Sequence, residues 1–436
     1  MKNYKRVHDF YLEEGEEKLL EYILPEYYID QNLDGNKVDA AYALRFLQNE
    51  LNSVLNSFLN GGFSGKGYVV YPLIKDVSKE NIIKVKRLKK VIYFLKDKGY
   101  DFSCSIKEFN GTINSRNFAA ILSSVYQDFS LIKFDKNIPM KKPKCEEFEL
   151  NDYKKSDAGY LKPLMDLKNY SNKHLKDYLA GFYLHGSFAT NDYIKGWSDV
   201  DTLAVVSKET LNDAKALLKL RYKLYNMRRF FYRMEPLQHH GTIIITEYDI
   251  NNYCQAYFPV QIFKYAKSFF PHDEEIIFKV RDYSVEATAK LFWFVNYFRK
   301  LNAEHRFNMG SYDSKILLHS VTLFPTLYLQ ASKIIVYKKF SFDIAKKYFK
   351  KSDWKVVDEA SSIRSSWNNF RVMPLAGQFS RINPLLAYQL NSRISDLFND
   401  IKKANRIDAE KISYNMLRLS EAAWDMVKKD AKKGKL

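Results

Sequence analysis

The sequence predicts an α+β chain: a small mixed-sheet core, a mainly helical region ahead of it and an all-helical domain behind it. Three observations lead there. Apolar residues recur at helical spacing up to about Phe148 and again after about Phe258. Between about Pro163 and Tyr257 the pattern turns to helix, strand, helix, strand, the vocabulary of a small α/β unit. At 436 residues, 46% of them hydrophobic and 16% aromatic, the chain can build large cores and fits neither a disordered nor a fibrous class. About 150 residues per domain gives two or three units, read here as 1–150, 160–258 and 259–436.

In chain order, Asp39 to Phe58 carries Ala40, Leu44, Leu47, Leu51, Val54, Leu55 and Phe58 at amphipathic helical spacing and stops at Asn60-Gly61-Gly62. A second helix, Lys79 to Lys98, turns Ile82, Val85, Leu88, Ile92 and Leu95 inward. Its remaining surface holds Lys84, Lys86, Arg87, Lys89 and Lys90, a face suited either to phosphates or simply to solvent. Nothing in residues 1–150 names a role for that region. Lys136 to Lys155 mixes prolines with charges and lacks either period, so it reads as a connector. Beyond Phe258, Val285 to Leu301, Lys315 to Tyr337 and Ala409 to Val427 have helical spacing with dense aromatics, and Pro325 should kink or divide the second of these.

Lys and Arg number 69 against 51 Asp and Glu, a net charge of +18 that suits an anionic partner without choosing one. Cys104, Cys145 and Cys254 lie far apart and are odd in number, which supplies neither a disulfide framework nor a paired-cysteine zinc site. The first twenty residues are broken by charges where a signal peptide needs an apolar run, and no apolar stretch is long enough to span a bilayer. The expectation is a cytoplasmic protein with no membrane partner.

The chemistry lies in Gly181 to Val206, GFYLHGSFATNDYIKGWSDVDTLAVV. An apolar strand ends at His185-Gly186-Ser187, and a second strand opens with Ser198-Asp199-Val200-Asp201. Residues two apart in a strand face the same way, so Asp199 and Asp201 project together, about 7 Å apart at the backbone. Such a pair can converge on a hard cation, and Mg²⁺ favours one or two carboxylates completed by water and substrate phosphates. With two ions, one can activate an attacking hydroxyl while the other steadies a leaving pyrophosphate. Gly186 lets backbone approach a triphosphate, and Ser187 adds a hydroxyl donor. Two acids at a strand start often only cap a turn. The full order, apolar strand, Gly-Ser, a spacer of about ten residues, Ser-Asp-Val-Asp and a second apolar strand, is far harder to assemble by chance.

This segment resembles the nucleotidyltransferase superfamily that includes DNA polymerase beta, kanamycin nucleotidyltransferase and the poly(A) polymerases. The likeness is one of motif and covers roughly Leu184 to Thr246. It implies that Gly186 and Ser187 hold nucleotide phosphates and that Asp199 and Asp201 coordinate Mg²⁺, with Mn²⁺ as an alternative ion. It also implies a third acid on a neighbouring strand. Here a helix from about Thr210 to Met234 leads to QHHGTIIITEYD, whose Gly241 to Thr246 run reads as that strand. The third position then falls on His240 or its neighbour His239; Glu235 and Glu247 are alternatives at either end. His240 is favoured, since a neutral imidazole can ligate a metal or accept a proton, although the same cluster could simply pack a strand start.

Weaker candidates complete the reading. His185 can orient the glycine turn. Asn60 to Gly67 contains glycines and a lysine but departs from GxxxxGK[ST], which favours a turn. Lys333, Lys338 and Lys339 sit where related enzymes supply cations to the triphosphate. The expected function is a Mg²⁺-dependent nucleotidyltransferase that moves an NMP from an NTP to an unidentified acceptor hydroxyl or phosphate. An anionic acceptor is mildly favoured, and an RNA end is among the candidates. The alternative is a catalytically degenerate protein of the same fold that binds nucleotide or RNA. A nucleic-acid scaffold built on the basic helix around Lys84 to Lys90 is a third.

Overall fold

A mixed five-stranded sheet organises the computed structural model, which describes residues 4–7, 10–13, 24–35, 37–60, 77–111, 113, 115–134, 136–235, 238, 240–367 and 407–432. The glycines of 61–67 and His239 lie outside the described residues. Strands β1 (Tyr4–Val7) and β2 (Phe10–Glu13) form a separate antiparallel hairpin. Helices α1 (Pro25–Asn32), α2 (Ala40–Asn60), α3 (Lys79–Asp97), α4 (Ser103–Glu108) and α5 (Ser115–Ser130) follow. The segment expected to be a connector instead supplies β3 (Ile138–Lys141) and β4 (Glu146–Glu147). Main-chain pairing with distant strands supplies what its composition lacks.

Next come α6 (Ala158–His174), β5 (Leu179–His185), the short α7 (Gly186–Ala189), β6 (Asp201–Val206), α8 (Lys208–Asn212), α9 (Ala214–Met234) and β7 (Ile243–Thr246). Then β8 (Lys267–Ser268) joins the sheet, and β9 (Ile277–Val280) pairs with β3 in a two-stranded ribbon. The sheet order is β4-β8-β5-β6-β7, with β5 and β6 antiparallel and β6 and β7 parallel.

Strand alternation divides the core. Phe182, Leu184, Ala204, Val206 and Ile244 face the cluster that includes Leu164 and Leu167 of α6, Leu220 and Phe231 of α9, and Leu51, Leu55 and Phe58 of α2. The helices ahead of the sheet therefore share one hydrophobic core with it. Tyr183, Leu203, Val205 and Ile245 face the other way, onto Phe258, Phe263 and Phe278. Asp201 and His185, directly opposite each other in the β5–β6 register, lie on this second face where β5 ends and β6 begins.

Helix α2 also closes the sheet edge. Asn56 Nδ2 donates to the Ile244 carbonyl at 2.9 Å while its Oδ1 accepts from the Ile244 N–H at 2.9 Å. One turn later Asn60 does the same for Thr242, at 2.7 and 3.2 Å. Side-chain amides four residues apart thus take the place of a sixth strand for backbone that would otherwise be unpaired. On α3, Arg87 pairs with Asp30 and Glu50, Lys84 donates to Ser53 and Lys89 to the Phe109 carbonyl. Much of that basic face is thus engaged within the fold.

The last region contains α10 (Ser284–Ala303), α11 (Ser311–Ala331), α12 (Lys338–Lys346), α13 (Lys351–Ser365) and α14 (Ala409–Lys432). Phe292, Phe298, Phe324, Trp354 and Trp424 fill its interior. Helix α11 continues through Pro325, against the expected break; Val321, Phe324 and Leu329 are all fully buried around it, and that packing holds one helix where the ring alone disfavours it. Among the described residues no helix is long and apolar enough to cross a membrane.

Candidate active site

The site begins where β5 ends. Gly186 has φ of 71°, a left-handed conformation that L side chains rarely adopt, and a β-carbon there would collide with the Asp201 carboxylate. Glycine is thus required both by the turn and by the acid beside it. Ser187 follows in the half-buried α7, and its carbonyl accepts from the Asp192 N–H at 3.1 Å. The spacer is tied down at several points. Phe188 stacks on Tyr193 with centroids 4.9 Å apart, Tyr193 donates to Asp157, and Lys195 Nζ lies 2.6 Å from Asp157 Oδ1. Trp197 packs edge-on against Trp367 at 5.2 Å, anchoring the loop to the helical region.

Asp199 and Asp201 flank Val200, whose backbone is held by a side chain. Gln238, fully buried, accepts from the Val200 N–H through Oε1 at 2.8 Å and donates to the Val200 carbonyl through Nε2 at 3.2 Å. It also donates to the His240 carbonyl at 2.9 Å. The carboxamide extends strand-like pairing beyond β6 and fixes the stretch that carries both acids. Burial first, and then the charge of Asp199, push the Asp201 carboxyl up to about 7, against partial relief from Lys338 and Lys315.

Cations reach the acids from the helical region. Lys315, in the second turn of α11, places Nζ 2.8 Å from Asp199 Oδ1 and 3.4 Å from Glu235 Oε1. Burial works to lower its pKa, but Asp199 and Glu235 outweigh that and hold the ammonium above its ordinary value. Lys338, at the start of α12, is brought down to about 8 by burial and by neighbouring Arg364, with Asp201 and Asp199 opposing. Lys339 lies 3.8 Å from Asp192, and Thr190 Oγ1 is 3.5 Å from the Tyr337 hydroxyl, so α12 closes over the glycine turn.

The neighbouring strand has no acid at the matching level. Leu203 pairs with Ile243, and Thr202 and Thr242 hydroxyls are 3.0 Å apart, so the register carries Asp201 to Gly241. His240 turns its Nε2 to within 3.3 Å of His319 Nε2 on α11. Glu247 is at the far end, where it accepts from the Lys208 N–H at 2.7 Å. Glu235 is buried and reaches the site through Lys315. Lys333 lies in the turn just past α11, exposed. His185 packs edge-on to Phe258 at 5.0 Å, and burial lowers its pKa to about 4, which leaves it a neutral wall of the site.

Among the described residues no group of three His, Cys, Asp or Glu could hold a metal ion. The two carboxylates nonetheless suit Mg²⁺: they are close enough for one to raise the other's pKa, a repulsion that a divalent cation relieves, and Mg²⁺ takes its remaining ligands from water and phosphates. The glycine at 186 keeps side-chain bulk away from Asp201.

Gly186, Ser187, Asp199 and Asp201, picked out by motif order, lie around the end of β5 and the start of β6, and Lys338 was named with Lys333 and Lys339 only from the resemblance to related enzymes. Motif order missed Gln238, Lys315 and Arg364, whose approach depends on tertiary structure. The Gln238-His239-His240 run did signal that something polar follows α9. A comparison with protein-family models matches residues 166–233 to the nucleotidyltransferase domain, a span that holds β5, the glycine turn, β6 and all but the last residue of α9. No curated protein and no solved structure matches the chain. The segment that carries the Gly-Ser turn and both aspartates thus lies within the stretch that matches the nucleotidyltransferase domain.

Proposed function

We propose that this chain moves a nucleoside monophosphate from an NTP to an acceptor hydroxyl or phosphate, with Asp199 and Asp201 holding Mg²⁺. The observation that carries the reading is the pairing of these two acids beside the left-handed turn at Gly186, inside a matched nucleotidyltransferase domain. When bound, Mg²⁺ supplies positive charge to phosphate oxygens.

The chain's own groups do the rest. Gly186 brings main chain within reach of phosphate oxygens, and the Ser187 hydroxyl donates to them. Lys338, whose charge acts on Asp201, and its neighbour Arg364 supply positive charge that opposes the negative charge growing on the leaving pyrophosphate. Gln238 fixes the direction of both carboxylates. The acceptor oxygen forms its bond to the α-phosphorus as the bond to the bridging oxygen breaks and pyrophosphate departs; a hydroxyl acceptor passes its proton to water, and an ionised phosphate acceptor has none to pass. The net charge of +18 favours an anionic acceptor, an RNA end among them.

A second reading, a protein of this fold that binds nucleotide without turnover, draws on Gly241 and on the ion pair that covers one Asp199 oxygen. One experiment separates them. The full chain is incubated with each NTP, Mg²⁺ or Mn²⁺ and a panel of acceptors, and pyrophosphate release is measured. Release that disappears in Asp201→Asn supports transfer; nucleotide binding without release across the panel supports the second reading.

A further inference from the structure

We propose that Lys315 is a built-in cation standing in for one of the two divalent ions of two-ion phosphoryl transfer, so that this domain works with a single exchangeable ion. The inference rests on the transferase reading above and says how its metal requirement differs from a two-ion site.

Lys315 is 1% exposed, Glu235 is fully buried, and the Asp199 side chain is 4% exposed. A lysine that only waited for a substrate phosphate would keep its head in water, because an ammonium is strongly hydrated. Here the ammonium lies between two carboxylates, 2.8 and 3.4 Å away, with the Trp197 ring 5.8 Å from it. Withdrawing it would take the ammonium at 2.8 and 3.4 Å away from two buried carboxylates, which is strongly unfavourable. Lys315 is therefore a fixed part of the site.

Ligand count points the same way. Two ions about 4 Å apart need carboxylates for each. With the β6–β7 register continued back from Leu203 and Ile243, the position level with Asp201 is Gly241, which lies two residues ahead of β7 and has no side chain to offer. On the other side, Lys315 already covers Asp199 Oδ1. Charge agrees with geometry. Asp199, Asp201 and Glu235 carry three negative charges when ionised; Lys315 removes one and Lys338, when protonated, a second, so a single divalent ion already more than balances what is left. Lys315 thus acts by positioning and neutralising Asp199, and Asp201 remains the open ligand.

The test counts ions on the full chain. Mn²⁺ is titrated in the presence of an α,β-methylene NTP analogue, and electron paramagnetic resonance reads the number bound and any coupling between neighbouring ions. We expect one uncoupled Mn²⁺ per chain, lost in Asp201→Asn, and a second, coupled Mn²⁺ in Lys315→Met. Should Lys315→Met fail to fold, as circular dichroism would show, Lys315→Gln combined with Glu235→Gln removes the ion pair as a unit and replaces it in the assay. Two coupled ions in the wild-type chain, both lost in Asp201→Asn, would overturn the inference and leave the transferase reading standing. A single ion in the folded charge-free variant would do the same, since Lys315 would not be what excludes the second. No bound Mn²⁺ with or without nucleotide would overturn the inference together with the reading beneath it.

Discussion

Gln238 and Val200 are joined as two strands would be, the carboxamide of one taking both the N–H and the carbonyl of the other. Because Val200 sits between the two acids, this pair sets where Asp199 and Asp201 point. Replacing Gln238 with Leu keeps the volume roughly constant but takes the partner from three backbone groups, the N–H and carbonyl of Val200 and the carbonyl of His240, at about 1–3 kcal/mol for each that stays buried and unsatisfied. The expected result is a folded, destabilised chain with pyrophosphate release reduced about 100-fold through misplaced acids. Urea unfolding and a turnover assay check both parts; a stability loss with unchanged turnover would separate Gln238 from the chemistry.

Gly186→Ala tests the turn. The substitution imposes a left-handed backbone on alanine, at about 1–2 kcal/mol, and drives a methyl into the Asp201 carboxylate. Nucleotide-dependent turnover should fall further than the modest drop in Tm would suggest. Side-by-side thermal unfolding and kinetics decide it, and full activity in the variant would show that Asp201 has room to spare.

Asp201 also gives the stability of the ion-free protein a pH signature. Burial and Asp199 raise its carboxyl from 3.8 to about 7, so the folded chain holds this proton more tightly than the unfolded chain. The stability it contributes is full below about pH 4 and is lost as pH rises through about 7. Asp201→Asn has no such proton. Without divalent ions, the Tm advantage of the Asn variant over wild type should widen between about pH 4 and 7, and a gap independent of pH would refute the assignment.

Asn56 and Asn60 present a different kind of dependence. Each amide makes two hydrogen bonds to the edge of β7, worth about 1 kcal/mol apiece net. Asn56→Ala with Asn60→Ala should destabilise the chain by roughly 2–4 kcal/mol and speed amide hydrogen exchange at Ile244 and Thr242. Exchange unchanged at those two amides would mean that solvent already reaches the edge.

Much of the fold was legible because its signals are local. The helices at Asp39 to Phe58, Lys79 to Lys98 and Ala409 to Val427 follow from spacing alone, and α2, α3 and α14 lie there within a few residues at each end. The Gly-Ser turn and the Asp-x-Asp pair were legible because the chemistry imposes a fixed order within 26 residues. What was not legible is what distant chain contributes. Lys315 lies 116 residues from Asp199, with no feature to mark it out from other helical lysines. Pro325 pointed to a break that surrounding burial suppresses. The 136–155 stretch read as a connector because its strands are two and four residues long and draw their hydrogen bonds from partners more than a hundred positions away.

The shared interior of α2, α5, α6, α9 and the sheet has a practical corollary for anyone cutting this polypeptide into pieces. A fragment starting near residue 160 would keep the matched family segment yet strip Leu51, Leu55, Phe58, Phe118 and Leu122 from beneath it. Such a fragment would present a greasy underside and a bare strand margin together, and it would clump before it could be assayed.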